Sequence, residues 1–137
     1  MSDVGLNPTQ DEFLRTHRWA LVSTIGRGTR PQVTMVAYHW DGRDIVMSIR
    51  ASAVKWRNLL THPEIAITVV DDRRFLTMSG RADAISADPE REALTIRVLH
   101  SLLPEDAAYL QQEMDRGLDA SQRVIVRLTP QHVVGRC

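Results

Sequence analysis

The sequence predicts a mainly β fold, a small closed or partly open antiparallel barrel with short helices, and three observations lead to it. About six short segments are rich in β-branched residues or alternate in polarity, and turn residues separate most of them. Strands and helices do not alternate along the chain, which disfavours a doubly wound parallel sheet. The length of 137 residues suits one domain, spanning 1–137, that buries about two thirds of its unfolded surface.

The first half of the chain is predicted to form a helix and then three antiparallel strands. The helix begins near Pro8, because Thr9 and Glu12 fit a capping box and proline is tolerated in a first helical turn. Asp41-Gly42 is a strong hairpin signal. The predicted strands are ALVSTI (20–25), PQVTMVAYHW (31–40) and DIVMSI (44–49), with the turn GRGTR (26–30) between the first two.

The second half is predicted to add a short helix, two hairpin-linked strands, a helical pair and a last strand. Ser52 is a suitable N-cap for the short helix SAVKWRNLL (52–60), and Pro63 ends it. Gly80, inside a strand, predicts a bulge or a close approach by another backbone. The other predicted elements are strands EIAITVVD (64–71), FLTMSGRADAIS (75–86) and RVIVRL (123–128), which HVV (132–134) would extend, and helices from Asp88-Pro89 to Pro104 and from Ala107 to Met114.

Composition excludes several classes of function. The formal net charge is zero, so no global field attracts nucleic acid or anionic lipid. Cys137 is the one cysteine, which leaves no disulfide framework and no cysteine cluster for zinc. The N-terminal segment has no basic start followed by an apolar core, and no apolar run approaches the roughly 20 residues that span a bilayer. We therefore expect a cytoplasmic protein without nucleic-acid or membrane partners.

Ser52 and Lys55 have the spacing of a nucleophilic serine and its lysine base, but their context does not fit that chemistry. Penicillin-binding enzymes also need Ser-Asp-Asn and Lys-Thr-Gly motifs. Ser-Asp-Asn is absent, and Lys-Thr-Gly cannot occur because Lys55 is the only lysine, the other sixteen basic residues being arginines. Helix capping is the better interpretation of Ser52.

Two other motifs are rejected on the same kind of evidence. Gly26-Arg27-Gly28 begins like a dinucleotide fingerprint, but Pro31 occupies the position of the third glycine and a strand follows. The five histidines show no i, i+4 pair and no carboxylate at a diagnostic spacing, so no metal site is predicted.

A phosphate site at the start of the mid-chain helix has stronger support. A helix N-terminus presents backbone N–H groups without helical partners and the positive end of a dipole. Arg50, Lys55 and Arg57 surround this helix start, and three cations there would complement a phosphate. A solvated basic face explains the same spacing equally well.

The order and spacing of four segments resemble the pyridoxamine-phosphate-oxidase-like family of split-barrel flavoproteins, and more narrowly its small branch that uses the deazaflavin coenzyme F420. The resemblance covers about Asp11 to Gly135. The segments are WALVSTIGRGTRPQVTMVAYHWDG (19–42), MSIRASAVKWRNLLTHPEIAITV (47–69), FLTMSGRADA (75–84) and RVIVRLTPQHVVG (123–135).

This resemblance implies a six-stranded antiparallel split barrel that forms a homodimer, with two cofactors in grooves between the subunits. Lys55 falls at the family's lysine and would hold the cofactor phosphate, and Arg50 or Arg57 would assist. Val54 stands where many flavin-mononucleotide (FMN) members have an arginine, and Ala53 where some deazaflavin members have one. The residues that would contact the cofactor are Pro31, Gln32, Val33, Thr34, Ser48, Ile49, Arg50, Lys55 and Arg57.

The activity that the resemblance implies is hydride transfer from reduced F420 to a small electron-poor organic acceptor. No catalytic side chain is identified, although Tyr38, Trp56 and Arg81 are candidates to face the substrate. The alternatives are an FMN-dependent oxidase or reductase of the pyridoxamine-phosphate-oxidase type, and a non-enzymatic flavin- or haem-binding protein. In every case the cofactor carries the redox chemistry and the protein supplies orientation and electrostatics.

Overall fold

A computed structural model describes residues 5–101, 108, 112 and 122–137 of the chain. Its elements are helix α1 (Pro8–Arg15), strand β1 (Trp19–Ile25), a 3₁₀ turn (Arg27–Thr29), β2 (Pro31–Trp40), β3 (Ile45–Arg50), α2 (Val54–Thr61), β4 (Glu64–Asp71), β5 (Arg74–Ile85), α3 (Glu90–His100), β6 (Arg123–Leu128) and β7 (His132–Arg136).

Six of the strands form a closed antiparallel barrel, which confirms the predicted fold class. The order is β4-β1-β2-β3-β6-β5, and the pairing of β4 with β5 closes the ring. Strand β5 serves two neighbours on one edge, since its residues 75–79 pair with β7 and its residues 82–85 pair with β6. Strand β5 therefore changes its partner along its length, from β7 to β6. Strand β7 is a seventh strand outside the ring.

The strand C-terminal to Pro130 differs from the prediction. Residues 132–134 do not prolong β6 but belong to β7, which pairs antiparallel with β5. Gly80 does not form a bulge either, because the register of β4 and β5 runs unbroken from Glu64↔Arg81 to Asp71↔Arg74. A Cβ at Gly80 would lie 3.1 Å from the side chain of Gln131, so the close approach comes from a side chain.

The predicted helix caps at Thr9 and Ser52 were wrong. Helix α1 is capped two residues earlier than predicted, by Asn7, whose side chain accepts from the backbone N–H of Gln10 while the side chain of Gln10 accepts from the backbone N–H of Asn7. At α2 the N-cap is Ala53, which has no side chain to accept a hydrogen bond, and Ser52 is exposed before it. The predicted helix from Ala107 to Met114 lies outside the described residues except for 108 and 112.

The barrel interior and one outer face form the two parts of the core. Ile45, Ile67, Leu76 and Leu128 are fully enclosed inside, and burying each aliphatic side chain contributes roughly 1.5–3 kcal/mol. Helix α3 packs on β2, β3 and β6 from outside, where Val98 joins a second apolar cluster. The described helices include none with the length and apolarity that a membrane crossing requires.

Candidate functional site

Strands β2 and β3 separate after a short shared ladder, and this separation opens a cleft in the barrel wall. The two strands pair only over Tyr38–Trp40 and Ile45–Met47. Beyond that point, residues 31–37 of β2 pair with β1, and residues 48–50 of β3 pair with β6. We call the opening between them the β2–β3 cleft.

The edge of β2 that faces this cleft carries backbone groups outside any strand ladder. The N–H of Tyr38 donates to the carbonyl of Arg18 on the β1 side. Because backbone groups alternate in direction along a strand, those of Val33, Met35 and Ala37 point the other way, toward the cleft. Pro31 has the same phase, and its missing N–H suits this edge.

The cleft has a volume of about 280 Å³ and combines an apolar wall with cations. The described residues lining it are Met35, Val36, Ala37, Ser48, Ile49, Arg50, Ala53, Lys55, Gln112 and Arg123. Three of these carry positive charge, and no carboxylate is among these described residues. Such a cavity favours a ligand with an apolar ring and an anionic group.

Lys55 extends from the first turn of α2 to β2. Its Nζ donates to Thr34 Oγ1 over 3.1 Å, and the side chain is half-buried. Burial lowers the pKa of the Lys55 ammonium because the charged form loses hydration. An anion placed beside Nζ would restore favourable charge interactions and raise the pKa again.

Arg123 is a cleft residue that the sequence analysis missed. It is only 5% exposed, and its Nη1 donates to Ser48 Oγ over 3.2 Å. The β3–β6 register also places Arg123 directly opposite Arg50. Two guanidinium groups therefore lie close together beside the cleft. An arginine opening the otherwise apolar strand RVIVRL was the available signal.

A buried amide network fixes α2 to the barrel. Asn58 Nδ2 donates to Thr24 Oγ1 and to Gln32 Oε1, each over 3.1 Å. Thr24 is 1% exposed, so the network lies at the end of the barrel interior. The side chain of Gln32, a predicted cofactor contact, is therefore occupied in holding the helix that carries Lys55.

The predicted site residues fall on two sides of α2. Ser48, Ile49, Arg50 and Lys55 line the β2–β3 cleft. A second depression of about 910 Å³, here called the α2 groove, lies between α2, the 3₁₀ turn and the start of β2, and Pro31, Gln32 and Arg57 line it. Thr34 contacts Lys55, whereas Val33 is 58% exposed.

The candidate substrate-facing side chains lie elsewhere. Tyr38 is fully buried, its hydroxyl donates to the Leu14 carbonyl, and burial raises the pKa of the phenol well above its usual range. Trp56 packs against the core, as expected for an aromatic of this helix. Arg81 is exposed on β5, opposite Glu64 of β4.

On the outer face of the sheet, beside the cleft, one row of residues aligned across five strands carries no charge. The register aligns Met35 of β2, Leu21 of β1, Thr68 of β4, Thr77 of β5 and Val134 of β7. Met35 and Val134 are each 63% exposed, and Leu21 is 43% exposed. Three exposed apolar side chains in one uncharged row are typical of a surface that binds another protein.

The fold and the cleft together define a split-barrel protein with a cation-lined opening between two strands. The chain belongs to the pyridoxamine 5'-phosphate oxidase family, whose sequence model matches residues 6–137. No curated protein matches the chain.

Solved structures agree with this family at the level of the fold. A conserved hypothetical protein from Mycobacterium tuberculosis has a TM-score of 0.73 at 20% identity, covering 99% of this chain and 88% of that one. An F420 reductase has a TM-score of 0.70 at 22% identity, with coverage of 90% and 94%. HutZ, the heme storage protein from Vibrio cholerae, has a TM-score of 0.67 at 21% identity, with coverage of 97% and 96%.

Proposed function

We propose that the protein is an F420-dependent oxidoreductase that transfers a hydride from the reduced deazaflavin to a small electron-poor organic acceptor. The β2–β3 cleft carries this proposal, because it sets the half-buried Lys55 beside a strand edge with free backbone positions. A cofactor with a planar ring and a phosphate needs both features.

The residues of the cleft fit such a cofactor. Lys55 would hold the phosphate, with Arg50 and Arg123 adding positive charge nearby. The ring would lie against the backbone edge of Val33, Met35 and Ala37, where N–H and C=O groups hydrogen-bond its heteroatoms. When bound, the reduced deazaflavin supplies the hydride, and the chain supplies position and charge.

The proton that completes the reduction is proposed to come from solvent. The described residues lining the cleft include no carboxylic acid, histidine or cysteine. Tyr38 is enclosed in the core with its hydroxyl engaged, which removes it as a proton donor at the cleft.

We further propose a homodimer whose second subunit covers the uncharged row on the outer sheet face. Met35 supports this arrangement, since it belongs to that row and also lines the cleft. A subunit bound there would close one side of the cleft and exclude water from the ring. The cofactor would then lie between subunits.

The same cleft could accept FMN, and positions 53 and 54 do not choose between the two cofactors. Val54 replaces the arginine that many FMN-binding members place before the lysine, and Ala53 replaces the arginine of some deazaflavin members. The choice of F420 therefore depends on the overall similarity to the short deazaflavin branch. An F420 reductase shares the fold over 90% of this chain. Haem is disfavoured because the described cleft residues include no histidine, cysteine or tyrosine to bind its iron. Met35 is the one residue among them with a sulfur ligand.

Parallel titrations of the purified protein with F420, FMN and haem test this proposal. Fluorescence follows the first two ligands, and the haem absorption band follows the third. We expect the tightest binding for F420, and loss of affinity in Lys55→Ala. Arg73→Gln, at an exposed position in the β4–β5 turn, is the matched charge control and should bind normally. Tighter binding of FMN or haem contradicts the assignment.

A further inference from the structure

The α2 groove is larger than the cleft and lies on the opposite side of α2. Within a helix each residue turns by about 100°, so Lys55 and Arg57 project in nearly opposite directions. The former lines the cleft and the latter lines the groove. The function proposed above does not use the groove.

The described residues that line the groove include several positive charges and no negative charge. Arg27, Arg30 and Arg57 line it together with His62, and no Asp or Glu is among its described lining residues. Within the described chain, none of these three arginines has an ion pair. Their mutual repulsion is therefore not relieved by an ion pair with any residue that the structure describes.

The turn that presents two of these arginines adopts an unfavourable backbone conformation. Gly28 and Thr29 have φ of 62° and 60°, and a β-branched residue rarely adopts that region. Hydrogen bonds from Gly26 N–H to the Arg30 carbonyl (2.7 Å) and from Thr29 N–H to the Gly26 carbonyl (3.1 Å) hold the turn. Strain of this kind persists where surrounding contacts over-determine it, which is common at binding sites.

We propose that the α2 groove is a second, independent anion site for an extended small molecule that carries two or three carboxylate or phosphate groups. Three guanidinium groups provide bidentate donors for such groups, and Thr61 adds a neutral hydroxyl donor. The volume of about 910 Å³ lies within the usual range for small-molecule sites.

A nucleic acid is disfavoured as the occupant. The chain has zero formal net charge, whereas nucleic-acid-binding surfaces depend on an extended basic face. The positive charge of the groove lies between a turn and one helix rather than along an extended face.

Calorimetric titrations at low ionic strength with tricarballylate, pyrophosphate and acetate test the site. The first two probes compare carboxylate with phosphate, and acetate is a monovalent control. We expect at least one multivalent probe to bind and acetate not to bind. Arg27→Gln, Arg30→Gln and Arg57→Gln should each weaken binding about tenfold, in keeping with charge-assisted hydrogen bonds. Raising the salt concentration should weaken it further, because the arginines are exposed.

Two variants test whether the probe binds in the groove, rather than in the cleft or through general surface charge. Lys55→Ala should leave unchanged the binding event that Arg27, Arg30 and Arg57 support, and so should Arg73→Gln. Absence of binding by both multivalent probes overturns the proposal, as does an equal loss in Arg73→Gln. Loss of binding in Lys55→Ala would assign the anion to the cleft and also overturn it. Failure here leaves the cofactor titrations unaffected, since those depend on Lys55.

Discussion

The two sides of α2 present the same kind of charge in different surroundings. In the β2–β3 cleft, Lys55 is half-buried and Arg123 is nearly enclosed. In the α2 groove, Arg27, Arg30 and Arg57 are exposed. Water and salt screen an exposed charge, whereas a desolvated one interacts strongly with the anion that reaches it. These surroundings support the two proposals, one tightly held phosphate in the cleft and a ligand with several charges in the groove.

The largest expected effect is on cofactor affinity. Lys55→Ala removes the half-buried cation and should weaken F420 binding by about 1.5–3 kcal/mol, the contribution of a charge-assisted hydrogen bond. Fluorescence titration measures it. Unchanged affinity would show that Lys55 does not hold the phosphate. It would also contradict the claim that the half-buried charge of the cleft binds an anion more strongly than the exposed charges of the groove.

The next effect concerns the network that positions α2 between them. Asn58→Ala removes both hydrogen bonds to Thr24 and Gln32 and leaves buried polar atoms without partners. We expect a loss of about 1–3 kcal/mol in the free energy of unfolding. Chemical denaturation measures this loss. Leu60→Ala, at an exposed position of the same helix, is the control and should change stability little. Equal losses in both variants would mean that general helix propensity, not the network, holds α2.

A smaller effect, of opposite sign, is expected in the turn of the α2 groove. Thr29→Asn replaces a β-branched residue at φ 60° by one that tolerates this conformation. Thermal unfolding should show a gain of about 0.5–1 kcal/mol. Thr9→Asn, in the exposed first turn of α1, should be nearly neutral. A destabilised Thr29→Asn protein would show that the threonine side chain stabilises the turn by contacts that outweigh its strain.

The smallest effect tests whether the groove contributes to the cleft at all. Arg57→Gln should change the affinity for FMN, whose single phosphate would occupy the cleft, by less than about 0.5 kcal/mol, as for an exposed charge beyond direct contact. A loss as large as that in Lys55→Ala would place both cations on one phosphate.

Local signals explain which parts of the fold were predictable. Strands 31–40 and 64–71 have the predicted bounds, because alternation and turn residues define both ends. Ser52 failed as a cap because capping depends on backbone angles, and the non-helical position falls at Ala53. The local pattern favoured Ser52, because serine is a preferred cap residue and alanine is not.

The candidate site was less predictable because it depends on long-range pairing. Arg123 and Ser48 are 75 residues apart in the chain and meet only through the β3–β6 register. The opening between β2 and β3 likewise follows from where their ladder stops, which no motif records. The separation of Lys55 from Arg57, by contrast, follows from helical geometry alone.

The most direct test of the central claim uses the fact that Lys55 is the only lysine of the chain. Lysine labelled with ¹⁵N at Nζ gives one side-chain NMR signal, which can be titrated with pH in the free protein and with F420 bound. Burial lowers the pKa of free Lys55, and a bound phosphate should raise it, so affinity should be full below the free pKa and fall as pH rises through the bound one. A higher pKa in the complex is the predicted result. A Lys55 signal and pKa that do not change while F420 binds would contradict the account.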